Sequence, residues 1–299
     1  FTGELSADEK RILILYSHQA NSPIIDGWDR GIRRGLESGQ SVDIKIDIEY
    51  LDLGREGDPD FQNKLVDILQ YKYADVTFDL VIPVYIEALE FTLKERRLFE
   101  NVPIVFCSVP SQVAQSTRDM EAITGVVFKL DFAETVEIAR TLFPRARRLV
   151  VLSGTSDQQK NLERWARSVL RPLEDSIEFE YISGLPLPEL CQKLGASGAD
   201  SVVLMLSYDN RDDGSDHHTV EALKSIVESC RIPIFGLYDT LIGHGVIGGK
   251  MVSPEDQGEL AGQLATRVLN GEPSEDIEIV GIDGNRFIFD NNNIITSSD

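Results

Sequence analysis

Short, solidly apolar runs alternate along this chain with longer stretches in which apolar residues recur every three or four positions. The first pattern predicts buried strands and the second amphipathic helices, and their alternation predicts an α/β fold with parallel sheets. In the first half, strands are expected at about 11–16, 43–50, 79–84 and 103–107, with helices near 24–38, 59–72 and 87–99. Ile44, Ile46 and Ile48 alternate with Asp43, Lys45, Asp47 and Glu49, as in a strand with one wet face. Ile25, Trp28, Ile32 and Leu36 fall on one helical stripe, and Phe61, Leu65, Ile68 and Leu69 on another. In the second half, strands are expected near 148–152, 177–182, 201–207 and 232–236, with helices near 131–143, 157–171, 187–195 and 216–229. Ser253-Pro254-Glu255-Asp256 opens a further helix: serine can cap, proline suits the first turn, and the acidic pair complements the dipole. That helix is expected to stop at Gly271, before a strand near 276–281 and a hairpin-like tail with Asp283-Gly284 and Phe287-Ile288-Phe289.

The two halves echo each other. Lys10-Arg11-Ile12-Leu13-Ile14-Leu15-Tyr16-Ser17 returns as Arg147-Arg148-Leu149-Val150-Val151-Leu152-Ser153. Leu80 to Tyr85, Glu87-Ala88-Leu89 and Val102 to Phe106 return as Val202 to Tyr208, Glu221-Ala222-Leu223 and Ile232 to Phe235. The offset, roughly 120 to 140 residues, suits a whole domain rather than a solenoid repeat. Two Rossmann-like lobes are therefore expected, with a cleft between them. Thr124-Gly125-Val126-Val127 is read as the first crossing, the glycine-rich 243–249 segment as the crossing back, and a third crossing is placed near 274. The expected division is 1–125 plus 252–274 for one lobe and 126–251 plus 275–299 for the other. A ligand touching both lobes would favour their closed form.

Composition narrows the function. Hydrophobic residues make up 42% and charged residues 26%, as in a globular chain. A net charge of −21 repels phosphate backbones, so no nucleic-acid partner is expected. No apolar run approaches the ~18 residues of a membrane span. The chain opens on Phe1, so a signal or anchor upstream is expected. Cys107, Cys191 and Cys230 match no zinc spacing and read as inert thiols.

In open parallel sheets ligands sit beyond the carboxyl ends of the strands. That rule selects Ser17, His18, Gln19, Tyr85, Ser108, Thr155, Ser156, Tyr208, Asp209, Asn210, Tyr238 and Asp239 as ligand-binding candidates. Hydroxyls and amides at helix starts suit a carboxylate, tyrosines offer flat walls with a polar edge, and the aspartates can receive an ammonium group. A small polar ligand, such as an amino acid or amine, fits that set. Each residue also has a structural alternative as a helix cap or turn.

Enzyme-like patterns fail on context. Gly243-His244-Gly245-Val246-Ile247-Gly248 spells a dinucleotide fingerprint but does not lie on a strand-to-helix turn. The segment from Asp209 resembles a calcium loop, yet Arg211 and Val220 stand where oxygen ligands are required. His217-His218 beside Asp212, Asp213 and Asp216 reads as a solvated helix start. No nucleophile elbow, P-loop or zincin motif is present. No catalytic residue, cofactor or metal is expected.

The series Asn101 to Phe106, Ile123-Thr124-Gly125-Val126, Leu142 to Leu152 and Gly248-Gly249 through Gly271-Glu272 resembles the type I periplasmic binding proteins, in particular their ABC-transporter substrate-binding-like group. The resemblance runs from about Arg11 to Val280. Within it, Arg11 to Ser17, Glu49 to Leu53, Lys72-Tyr73-Ala74, Phe78 to Ile82 and Val105-Phe106-Cys107 look most like extracytoplasmic input domains of bacterial sensor histidine kinases. The resemblance implies non-catalytic, reversible binding of a solute between lobes, outside the cytoplasm, with a membrane-anchored signalling or transport partner. A free receptor of an ABC importer is the alternative, and an enzyme using the cleft a third. Asp209-Asn210 matches the place where amino-acid-binding members use hydroxyl and Asp/Asn groups.

Overall fold

A computed structural model describes residues 9–18, 20, 22–39, 43–53, 59–99, 102–117, 120–198, 200–208, 219–281 and 285–291. The chain divides into two compact units, 1–129 with 254–283 and 130–253 with 284–299.

In the first unit the chain runs β1 (Lys10–Tyr16), α1 (Pro23–Glu37), β2 (Ile44–Tyr50), α2 (Pro59–Lys72), β3 (Leu80–Val84), α3 (Ile86–Lys94), β4 (Ile104–Pro110), a short α4 (Ser111–Ala114) and β5 (Ile123–Phe128). Its strands form one six-stranded sheet in the order β11-β5-β4-β3-β1-β2, where β11 is Val280–Gly281. Every pair in it is parallel. Alternation decides which helix lies where. Ile12, Ile14 and Tyr16 face α1 and the later α9 (Pro254–Leu269), whereas Leu13 and Leu15 face α2 and α3. The α1–α9 contact is backbone on backbone: a Cβ at Gly31 would stand 2.1 Å from the Glu255 carbonyl oxygen.

The second unit runs α5 (Phe132–Leu142), β6 (Arg148–Ser153), α6 (Asp157–Leu170), β7 (Glu178–Ser183), α7 (Leu187–Gly195), β8 (Ser201–Met205), α8 (Thr219–Ser229), β9 (Ile234–Gly236), β10 (Gly248–Met251) and, late in the chain, β12 (Arg286–Phe289). The sheet order is β12-β10-β9-β8-β6-β7, parallel except for β12 against β10. Val150, Leu152, Val203 and Met205 pack on Leu187, Leu190 and Leu194 of α7 and on Ala222, Leu223 and Ile226 of α8. Phe132 of α5 meets Trp165 of α6 edge-on at 5.0 Å between ring centres.

Several expectations are corrected. Thr124 to Val127 is not a crossing but lies inside β5, because Gly125 can approach the Phe106 backbone where a side chain cannot. Residues 280–281 pair with β5, so this part of the 275–299 segment belongs with the first unit rather than the second. The tail is not a hairpin: β12 pairs with β10, and β11 sits in the other sheet. The glycine-rich 243–249 segment is not the crossing back; Val246 and Ile247 are core residues, Gly248 and Gly249 begin β10, and the units divide after Ser253. The helix expected at 87–99 breaks after Lys94 and ends in a 3-10 turn at Arg96–Phe99. His217-His218 and the acidic run before them lie outside the described residues, as does Asp283-Gly284.

Candidate functional site

A parallel sheet opens a crevice where neighbouring strands send their connections to opposite sides. In the first unit that switch lies between β1 and β3, and in the second between β6 and β8. The carboxyl ends of those strands carry Ser17-His18 and Tyr85 in one unit, and Thr155-Ser156 and Ser207-Tyr208 in the other.

At the first switch, Ser17 ties the corner together. Its hydroxyl donates to the Val84 carbonyl at 3.0 Å and accepts from the Ala88 N–H at 2.8 Å, capping α3 from a distant strand. Ser17 thus spends its hydrogen bonds on the fold. Tyr85 precedes α3 with φ 76° and ψ 173°, a conformation that costs a non-glycine residue about 1–3 kcal/mol. Its half-buried ring lies 5.4 Å from His18, 5.8 Å from Trp28 and 6.3 Å from Phe128, between ring centres. Glu87, the second residue of α3, has its Oε2 buried with no hydrogen-bond partner among the described residues. Burial pushes its carboxyl up to about 7; the Glu90 charge adds to this, while its own backbone N–H and Ser17 oppose it.

Ser108 lies in β4 with φ 58°, where the register against β5 shifts between Phe106 and Val109. Its hydroxyl donates to Gln257 Oε1 at 2.6 Å, and Trp28 Nε1 donates to the same oxygen at 3.3 Å. An indole N–H only donates, so the amide oxygen must face it. All three residues are buried, and Gln257 Nε2 has no partner among the described residues. Asp52, just past β2, has φ 47°. Of the four non-glycine residues with positive φ among the described residues, Asp52, Tyr85 and Ser108 sit at the carboxyl side of this sheet, and only Ala122 does not.

At the second switch the sequence candidates divide. Ser156 is a reciprocal cap of α6: its hydroxyl accepts from the Gln159 N–H, and the Gln159 side chain accepts from the Ser156 N–H, both at 3.3 Å. Thr155 beside it is half-buried. Tyr208 is only 2% exposed; its ring packs in the core beneath α8 and its hydroxyl donates to the Leu185 carbonyl at 3.0 Å. The expected flat wall is therefore a core side chain. The neighbouring Ser207, absent from the sequence candidates, keeps a buried hydroxyl without a partner among the described residues. Tyr238 is half-buried, and burial pushes its phenol upward. Asp239 opens a 3-10 turn, its N–H donating to the Val252 carbonyl at 3.0 Å. Gln19, Asp209 and Asn210 lie outside the described residues.

Besides Ser207, two functional candidates are not among the residues expected from sequence, though each left a signal. Glu87 stands two residues past a strand tip at a helix start. Gln257 breaks an inward stripe otherwise made of Pro254, Ala261 and Leu264. Among the described residues no cluster suits a metal ion and no helix is long and apolar enough to cross a membrane.

A structure of an ABC domain in complex with L-Trp from Streptococcus pneumonia matches 97% of this chain and 95% of its own, with a TM-score of 0.70 at 16% identity. The fold is that of the type I periplasmic binding proteins. A ligand-free, open substrate-binding protein with adhesive properties from Clostridium difficile matches over the same shares of both chains at 0.66 and 16% identity. A conserved domain protein from Vibrio cholerae covers 97% of this chain and 94% of its own at 0.70 and 13%. No family model and no curated protein matches the sequence.

Proposed function

We propose that this chain is a non-catalytic, extracytoplasmic binding domain that takes up a small polar solute reversibly at the strand ends of its two units. One observation carries this reading: polar side chains collect at the topological switch of each sheet, joined in the first unit by aromatic rings and a strained Tyr85 backbone, with hydrogen-bonding capacity left over at Glu87 and Ser207. The likeness to a domain holding L-Trp and to a substrate-binding protein supports it. The preferred setting is the input domain of a membrane signalling protein of the sensor-kinase type, on the strength of the first-half resemblance. A free receptor of an importer is the second reading, favoured by the substrate-binding neighbour. A membrane helix and kinase segment encoded downstream of Asp299 would decide for the first.

A thermal-shift screen against amino acids, amines, purines, sugars and small carboxylates tests the binding itself. A ligand present at a hundred times its Kd adds about 2.7 kcal/mol to stability, which such a screen detects. The expected result is at least one member that raises Tm and is recovered unchanged. A screen with no shift, or a bound member converted to product, would remove the proposal.

A further inference from the structure

We propose that the first unit seats an organic ammonium group, with the Glu87 carboxylate as its counter-ion and the Tyr85 and His18 rings beside it. The inference rests on the solute-binding reading and names the chemistry of the solute.

Three independent observations converge. Glu87 keeps a buried oxygen without a donor among the described residues. Its own backbone N–H and Ser17 are the groups that favour its ionised form, and no lysine or arginine is among them. A carboxylate accepts along about four directions, so this one retains room for an N–H donor from elsewhere. The second observation is aromatic. Tyr85 is braced by the buried Trp28 and Phe128 and touches His18, so a rigid group of rings stands two residues before the acid on the same corner of chain. Rings beside a carboxylate are the chemistry that holds alkylammonium and arylalkylammonium cations. The third is strain. Tyr85 is held at φ 76° directly before α3, which fixes the ring and the acid to one rigid corner.

Charge excludes the opposite ligand. A carboxylate or phosphate brought to Glu87 would meet an acid at low dielectric in a chain of net charge −21, whereas a cation is attracted by both. A neutral molecule would gain nothing from the charge of the acid.

The test uses the full chain and amines with matched partners: phenethylamine, tryptamine, choline and putrescine, against the corresponding alcohols and carboxylates, with L-tryptophan and L-phenylalanine as amino-acid arms. Calorimetric titration at pH 8 should show at least one cation binding about ten-fold or more tighter than its neutral and anionic counterparts. The arms separate a free amine from the ammonium of an amino acid. Glu87→Gln, nearly isosteric, should reduce that affinity by about ten-fold or more and leave the neutral counterpart unchanged.

Acidity supplies a second readout that needs no variant. With its carboxyl pushed up to about 7, Glu87 loses the ionised form as pH falls, so amine affinity should drop about ten-fold per pH unit below that value. The titratable groups to separate from it are Glu90 on α3, whose charge acts on Glu87, and His18 at the β1 end, which lies against the Tyr85 ring. Glu87→Gln should abolish the pH step, while His18→Gln and Glu90→Gln should retain it. A best binder that is neutral or anionic, or an amine affinity that survives Glu87→Gln, overturns the ammonium seat and leaves solute binding standing. Failure of every solute removes both.

Discussion

At the residue scale, the hydroxyls at the strand ends show how one chemistry serves two ends. Ser17, Ser108 and Ser156 all lie where a ligand is expected, yet each is engaged within the protein: by Val84 and Ala88, by Gln257, and by Gln159. Ser17 reaches an amide 71 positions away, so no local pattern could reveal the cap. Tyr85 is different, because its backbone is held where only glycine is comfortable. Replacing it by glycine or by alanine deletes the same ring, so packing losses nearly cancel. The glycine variant should then be the more stable of the two by about 1–2 kcal/mol in urea denaturation, the reverse of the usual order at a helix start. An alanine variant at least as stable as the glycine one would show that φ 76° is not imposed by the surrounding fold.

At the element scale, the periodicity of α1 disclosed its apolar stripe of Ile25, Trp28, Ile32 and Leu36, all buried. It did not disclose the partner. Gly27, Gly31 and Gly35 lie along α1 and Gly258 and Gly262 along α9, and the two backbones meet where side chains are missing. Glycine inside a helix costs about 1 kcal/mol relative to alanine, so it persists there for a reason of space. Gly27→Ala would place its Cβ 3.1 Å from the Pro254 side chain, and the helix-propensity gain should roughly offset that crowding. Gly31→Ala meets the Glu255 carbonyl oxygen at 2.1 Å, which the backbone cannot yield cheaply. It should destabilise the protein by about 3 kcal/mol or more in thermal or urea melts. Equal effects of the two substitutions would contradict the close approach.

At the scale of the whole molecule, strands and helices were legible because each carries its own period, and the echo announced two like units. Chain crossings were less legible. Thr124 to Val127 carries a glycine that reads as a hinge, but it serves a strand that must pass close to Phe106. The late strands fall where they are expected, but their pairing was not legible, because β11 and β12 are short and their partners, β5 and β10, are far away in sequence. What links these cases is that the first unit is assembled from two separated pieces of chain, and this has a consequence for biosynthesis. The ribosome completes residue 129 and then makes residues 130–253, most of the second unit, before α9 appears at Pro254. At ~5–20 residues per second the growing first unit waits roughly 6–25 s with the α1 face bare. Trp28, Ile32 and Leu36 each contribute about 1.5–3 kcal/mol when buried, a large part of the 5–15 kcal/mol that holds a domain together. A chain stopped after Ser253, short only of the edge strand β12 in its second unit, should therefore carry a second unit that resists protease better than its first, which is cut readily, whereas the chain through Asp290 resists throughout. Resistance of residues 9–129 in the shorter chain would show that the nascent first unit has no need of its last helix.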